Sequence, residues 1–199
     1  GRGCTALFLD DRSSDGIDTQ LHSIAHGVIA LERHVPAYGP VMRRLRVTKF
    51  RGSDFISGQQ DTVIRRGGLE VFPRLTPSDH GKAFQREVVP SGVAALDELL
   101  GGGTDRGTAT LLVGPAGSGK STIAAQYAVM ATRRGGHAAI FTFEEGRSLL
   151  MDRLASLGLS VEEGLGPGRL HVRQIDAAQV LPSQFANIVR TAVERDGAS

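Results

Sequence analysis

The two halves of the chain differ in how their apolar residues are spaced. Before residue 75, short apolar or alternating segments predict β-strands. These predicted strands cover residues 5–9, 28–31, 44–50, 61–65 and 69–72, and one helix is predicted over residues 18–27. Arg66, Gly67 and Gly68 lie between the last two strands, which indicates a β-hairpin.

In the second half, strand patterns alternate with helical patterns. Strands are predicted over residues 109–113, 138–143 and 170–175, and helices over residues 120–134, 148–157 and 183–195. Strands that alternate with helices of about 10 to 15 residues are typical of βαβ units and a parallel sheet. Such sheets bind ligands beyond the carboxyl ends of their strands.

A polar segment separates the halves. Residues 75–88 contain Pro and Gly and have no hydrophobic period, which predicts a linker between domains. The domains are therefore expected to cover residues 1–74 and 89–199.

Composition narrows the class of protein. Of the 199 residues, 40% are hydrophobic and 22% are charged, which is typical of a globular protein, and the net charge of +2 does not by itself indicate nucleic acid. A single cysteine, Cys4, excludes an internal disulfide and fits a cytoplasmic location. No apolar run reaches the roughly 18 residues of a membrane span. The chain begins without a signal-peptide pattern, and both ends look cut, so it is interpreted as a fragment.

Residues 114–122 fit the pattern G-x-x-x-x-G-K-[ST] between a predicted strand and a predicted helix. Glycines at three positions allow positive φ, so that backbone N–H groups can surround phosphate oxygens at a helix N-terminus. Lys120 is expected to reach the β- and γ-phosphates, and the Ser121 hydroxyl to ligate Mg²⁺. ATP and Mg²⁺ are thus the predicted ligands. The predicted binding residues are Gly114, Pro115, Ala116, Gly117, Ser118, Gly119, Lys120, Ser121 and Thr122.

Two adjacent carboxylates, Glu144 and Glu145, follow the predicted strand 138–143. In a parallel sheet, at least one of them is expected at the same edge as the phosphate loop, where it could activate the nucleophile that attacks the γ-phosphate. Alternatively, both could stabilise the next helix through its dipole. Position alone leaves both roles open.

Several segments, in a fixed order, resemble the KaiC-type domains of RecA-like ATPases. Residues 90–103 (PSGVAALDELLGGG), the phosphate loop and residues 141–145 (FTFEE) resemble the start of such a domain. Upstream, residues 49–52 (KFRG) and 68–73 (GLEVFP) resemble the end of the preceding domain. The expected fold is therefore α/β, a RecA-like P-loop NTPase with a mainly parallel sheet, in two incomplete domains joined by a linker.

The resemblance also implies functional roles. It implies a homo-oligomer, a hexameric ring with ATP between subunits, and it makes Glu144 and Glu145 the catalytic carboxylates. Lys49 and Arg51 would reach the γ-phosphate bound by an adjacent subunit, where cations stabilise transition-state charge. Without the resemblance, these two cations would be interpreted as a solvated strand face.

The chain also departs from the pattern of this family. Phe55 stands where a histidine is frequent, and Leu157 where clock proteins of the family have an aromatic residue. The strand with the magnesium-associated aspartate would follow Ser199, so the fragment itself is expected to be weakly active or inactive. Serine/threonine autokinase activity is only implied by the resemblance.

Three other signals are interpreted as structural. Residues 7–11 (LFLDD) imitate the acidic strand that assists magnesium, but they precede the phosphate loop. His22 and His26 are four apart on the predicted helix, without an evident third metal ligand. The arginines at 43–46 and 65–66 are interpreted as solvated faces or subunit contacts.

Three functions are therefore compared. The first is a KaiC-like ATPase, with an unidentified regulatory protein partner and no membrane partner. The second is a DNA-directed recombinase or helicase relative, which steeply salt-dependent stimulation by single-stranded DNA would favour. The third is a scaffold that uses ATP only to assemble, which ring formation without hydrolysis would favour.

Overall fold

A computed structural model describes residues 3–11, 19–37, 39–75, 87–159, 169–195 and 197–198. The described helices are α1 (Thr19–Ile24), α2 (Ala94–Leu99), α3 (Lys120–Arg133), α4 (Arg147–Ser156) and α5 (Pro182–Glu194). The described strands are β1 (Gly27–His34), β2 (Met42–Phe50), β3 (Gln59–Arg65), β4 (Gly68–Phe72), β5 (Val88–Val89), β6 (Thr104–Asp105), β7 (Ala138–Thr142) and β8 (Leu170–Gln174). The α/β content agrees with the expected fold class.

The first part of the chain forms a four-stranded antiparallel sheet in the order β1-β2-β3-β4. At the β3–β4 turn, Gly67 and Gly68 have φ angles of 109° and 126°, which residues with a Cβ rarely adopt. Arg65 pairs with Gly68 across this turn, so the predicted hairpin is confirmed. Helix α1 is shorter than predicted and ends at Ile24.

The second part contains the predicted βαβ unit. Strands β7 and β8 pair in parallel, and α4 lies between them in the chain. Buried residues four apart on α3 and on α4 lie on one face of each helix and pack together, with side chains of β7 and β8 against them. This core consists of Ala125, Val129, Leu150, Leu154 and Leu159, with Ile140 and Val172 packed against it.

Two of the predicted strands do not form. Residues 5–9 and 109–113 have no strand assignment, and Leu7 and Leu111 are 88% and 84% exposed. An apolar run becomes a stable strand only where its N–H and C=O groups find partners. Within the part of the chain that the structure describes, no strand pairs with either run.

The expected mainly parallel sheet is also not what the described strands form. Four strand pairings are antiparallel, and β7–β8 is the parallel one. The antiparallel pairings of β1 to β4 join strands that follow one another through short connections, whereas parallel pairing needs a longer crossover such as α4.

The two parts of the chain touch at α5. The Ser183 hydroxyl donates to Asp61 Oδ2 at 2.6 Å, and Arg44 Nε donates to Asp61 Oδ1 at 3.2 Å. Phe72, at the end of β4, is buried. The four-stranded sheet and the β7–β8 pair nevertheless remain separate sheets. Residues 76–86 of the predicted linker lie outside the described residues.

Candidate nucleotide-binding site

At two positions, the backbone of the phosphate loop has a conformation that favours glycine. Gly117 and Gly119 have φ angles of 79° and 90°. Gly114 does not have a positive φ, so the expectation is wrong for that residue. Its backbone instead lies close to another loop residue, because a Cβ on Gly114 would be 2.6 Å from Ser118 Oγ, which would have to move. The sequence pattern therefore corresponds to a tightly bent loop.

This loop leads directly into α3. Gly119 is the N-cap residue of the helix, and no side chain caps its first turn. The N–H groups of a first helical turn have no partners within the helix, and they carry the positive end of its dipole. The start of α3 is therefore suited to an anionic ligand.

Lys120 lies in the first turn of α3 and points back to the loop. Its Nζ donates to the carbonyl oxygens of Gly114 at 2.8 Å and Pro115 at 2.7 Å. Ser121 follows it and is exposed. The loop residues before the helix, numbers 114–118, are exposed as well. An ammonium and a hydroxyl are thus presented beside an accessible loop.

The two glutamates after β7 have different surroundings. Glu145 Oε2 forms an ion pair with Arg153 Nη2 at 2.7 Å, and its backbone carbonyl accepts a hydrogen bond from Thr142 Oγ1 at 2.7 Å. Glu144 is exposed and forms no ion pair or hydrogen bond with another described residue. Arg153 was not singled out from the sequence, because an ion pair between residues eight apart depends on the turn between strand and helix.

Lys49 in β2 and Arg51 just after this strand hold the end of α1. Lys49 Nζ donates to the carbonyl oxygens of His22 and Ser23, each at 2.9 Å, and Arg51 Nη2 donates to that of Ser23 at 2.7 Å. Partial burial, and then the neighbouring charge of Arg51, lower the pKa of Lys49. Cations at a helix C-terminus interact favourably with its dipole, so these side chains stabilise α1. They share no hydrogen bond with the phosphate loop.

A second set of contacts supports α3 at its far end. The Asp97 carboxylate accepts hydrogen bonds from the backbone N–H groups of Ser91 at 2.6 Å and Gly92 at 3.1 Å. Arg134 Nη1 donates to the Pro90 carbonyl at 3.1 Å. Burial alone would raise the pKa of Asp97, but the hydrogen bonds from Ser91 and Gly92 and the charge of Arg134 outweigh it, so the pKa is lowered.

Gly92 explains why this segment lies so close to α3. It has a φ of 80°, and a Cβ there would lie 2.8 Å from atoms of the Met130 side chain. Sequence reasoning used residues 90–97 only for the family resemblance and missed this contact. The spacing of Asp97 behind a Ser-Gly turn was the available signal.

A model of the family described as "ATPase: KaiC" matches residues 89–189, just over half of the chain. The chain belongs to the KaiC family of ATPases. This confirms the resemblance drawn from residues 90–103 and 141–145, and it agrees with a RecA-like phosphate-loop fold. The matched range includes the loop, Glu144 and Glu145.

Several curated proteins of this family are similar to the chain. The circadian clock oscillator protein KaiC of Acaryochloris marina is 31% identical over 134 residues, which is 65% of this chain and 25% of that protein. That of Synechococcus elongatus is 31% identical over 125 residues, 61% of this chain and 23% of the relative. The circadian clock protein KaiC2 of Synechocystis sp. is 28% identical over 163 residues, 80% of this chain and 28% of the relative. The chain spans about a quarter of the length of these relatives.

The described residues show neither a metal-ligand cluster nor a membrane-spanning helix. Among the described residues, no three or more His, Cys, Asp or Glu side chains cluster as metal ligands, and His26 lies beyond the end of α1. None of the described helices combines the length and the apolar character needed to cross a membrane.

Proposed function

We propose that the chain binds ATP with Mg²⁺ through residues 114–122 and hydrolyses it. The observation that carries the proposal is the bent loop, with left-handed Gly117 and Gly119, that leads into the uncapped N-terminus of α3 beside the Lys120 ammonium. Membership of the KaiC family of ATPases supports it.

Binding requires a change of partners at Lys120. Its Nζ now donates to two neutral carbonyl oxygens of the loop. Phosphate oxygens carry negative charge, so they attract the Lys120 ammonium more strongly than neutral carbonyl oxygens do. Exchange of the carbonyls for β- and γ-phosphate oxygens therefore favours the bound state.

The exposed Ser121 hydroxyl fits a Mg²⁺ ligand, because this hard cation prefers oxygen donors and Ser121 lies in the first turn after the loop. Mg²⁺ held by this hydroxyl would neutralise part of the charge on the phosphate groups. The chain's own contribution is to hold the hydroxyl beside the loop.

Glu144 is the proposed general base. Its exposed carboxylate follows β7 and is not engaged by another described residue. It accepts a proton from a water molecule whose oxygen attacks the γ-phosphorus, while the bond to the β–γ bridging oxygen breaks and ADP leaves. Glu145, which forms an ion pair with Arg153, assists this step as the second catalytic carboxylate.

In a hexameric ring, Lys49 and Arg51 are proposed to serve the nucleotide of a neighbouring subunit. Family resemblance supports this role, and the half-buried Lys49 and its partner already act together on the α1 carbonyls. Supplying cations across an interface would couple hydrolysis to assembly. No acceptor serine or threonine is assigned, so autokinase activity stays an implication of the resemblance.

The binding proposal is tested with Lys120→Ala and a fluorescent ATP analogue. Loss of a charged hydrogen-bond donor costs about 1.5–3 kcal/mol, so the Kd is expected to rise roughly 10- to 150-fold. Arg133→Ala removes a cation from the last turn of the same helix and is the matched control, expected to leave the Kd unchanged. An undiminished affinity in Lys120→Ala would overturn the proposal.

A further inference from the structure

The ion pair between Glu145 and Arg153 ties the acidic segment after β7 to α4. Arg153 lies in the last turn of α4, and its Nη2 reaches Glu145 Oε2 at 2.7 Å. The hydrogen bond from Thr142 Oγ1 to the Glu145 carbonyl fixes the backbone of the same residue. Glu145 is therefore held through both its side chain and its main chain.

This pair is poorly arranged for stability. The two side chains are 34% and 25% exposed, and pairs that are partly open to water contribute little. Arg153 Nε is buried without a hydrogen-bond partner among the described residues, although a bidentate pair would use it. The ion pair between Glu145 and Arg153 is therefore expected to contribute little to the stability of the fold.

The ion pair between Glu145 and Arg153 affects the neighbouring residue, Glu144. Glu145 is directed toward α4, whereas Glu144 is exposed. Only four residues connect β7 to α4, so a movement of the Glu145 backbone after loss of the ion pair would also move Glu144. The orientation of the free carboxylate thus depends on the paired one.

We propose that Arg153 is a positioning residue for ATP hydrolysis, which holds Glu145 against α4 and thereby directs Glu144 to the carboxyl edge of β7. The inference rests on the proposed function, because it assigns Arg153 a part in that reaction. Arg153 itself touches neither nucleotide nor water in this role.

Single-turnover hydrolysis of γ-labelled ATP, with protein in excess, tests the proposal even if turnover is slow. Arg153→Met keeps an unbranched apolar side chain and removes the charge. It is expected to lower the rate constant roughly 10- to 100-fold, because small displacements of reacting groups have effects of this size. The Kd for ATP should change less than about twofold, since Arg153 does not contact the nucleotide. Arg153→Lys should restore most of the rate.

Two controls separate positioning from loss of stability. Arg190→Met removes an arginine from a surface pair on α5 and should leave the rate unchanged. In a Glu145→Gln background, Arg153→Met should cause no further loss, because its partner is already neutral. A full-sized loss in that background, an unchanged rate in Arg153→Met, or a failure of Arg153→Lys to rescue would overturn the proposal.

Carbodiimide labelling of carboxylates with a glycine ester, mapped by mass spectrometry, adds a readout that is independent of activity. Glu144 should label faster than Glu145 in the wild-type chain, and Arg153→Met should reduce the difference. Equal labelling in the wild type, or an unchanged ratio in the variant, would contradict the inference. Wild-type protein that binds ATP without turnover would also overturn it, whereas absence of ATP binding would refute the proposed function itself.

Discussion

Glu144 and Glu145 show how residues of one type acquire different roles from their surroundings. Both follow β7, yet Glu145 is paired with Arg153 and Glu144 is open to solvent. A general base has to reach a water molecule beside the γ-phosphate, so the free carboxylate suits that role. The sequence predicted at least one of the two residues at this edge and left their roles open.

Glu144→Gln is expected to lower the hydrolysis rate constant about 10²- to 10⁴-fold while ATP binding is retained, because general-base catalysis contributes on this scale. The measurement is single-turnover hydrolysis with the Kd determined in parallel. Asp152→Asn changes an exposed carboxylate on α4 and is expected to behave as the wild type. A Glu144→Gln protein with normal turnover would exclude Glu144 as the base.

Asp97 gives a pH dependence with a defined sign. Its pKa is lowered in the folded state, so its contribution to stability is present above the unfolded-state pKa, about 4, and is lost as the pH falls through the folded value. Asp97→Asn should lower the midpoint of urea unfolding at pH 7, because its one amide oxygen can accept from only one of the N–H groups of Ser91 and Gly92 as they now lie, and the negative charge is lost.

The difference in midpoint between wild type and Asp97→Asn should begin to narrow below about pH 4, where the carboxyl of the unfolded chain becomes protonated, and should narrow further as the pH falls through the lower folded value. Glu98→Gln, an exposed neighbour on α2, is the control and should show no such convergence. A difference that stays constant between pH 7 and pH 3 would show that the lowered pKa does not contribute to stability.

At the scale of the elements, α3 is bounded by glycines. Gly119 begins it with a φ of 90°, and Gly135 follows it with a φ of 89°. The N–H of Gly136 bonds to the Ala131 carbonyl at 3.0 Å and closes the end of the helix. Gly119 is both the last residue of the phosphate loop before α3 and the N-cap of this helix, so a change at this position affects loop and helix together.

Gly119→Ala is expected to weaken ATP binding through backbone strain alone. An added Cβ meets no atom within 4 Å, but a left-handed φ costs a residue with a Cβ about 1–2 kcal/mol. Relaxation of that strain would displace the loop. Gly146→Ala, at an N-cap with a φ of −67°, is the control and should keep its ATP affinity. Equal effects of the two substitutions in a Kd measurement would argue against a special backbone at Gly119.

Elements defined by local spacing were predictable, and those that need distant partners were not. The helix predicted over residues 120–134 and the turn at Gly67 depend on neighbouring residues, and both predictions are confirmed. Residues 109–113 have the composition of a strand, but pairing requires a second segment that periodicity does not supply. The contacts of Lys49 with α1 depend likewise on how β2 and α1 meet.

At the scale of the whole molecule, the site residues are divided between the two parts. The loop, Glu144 and Arg153 lie with the β7–β8 pair, whereas Lys49 and Arg51 lie at the end of β2 and hold α1. The two parts meet at α5, where Ser183 donates to Asp61, and the cations bind the carbonyl oxygens of α1 and not those of the loop. This division is compatible with a role for the cations toward another subunit.

Amide hydrogen exchange of the chain with and without MgATP tests the nucleotide assignment most directly, because it reports on the loop N–H groups themselves. Slower exchange is expected in residues 114–122 on addition of MgATP, and Lys120→Ala should abolish the effect at the same ATP concentration. An unchanged exchange rate in this loop, or protection that persists in Lys120→Ala, would contradict the assignment.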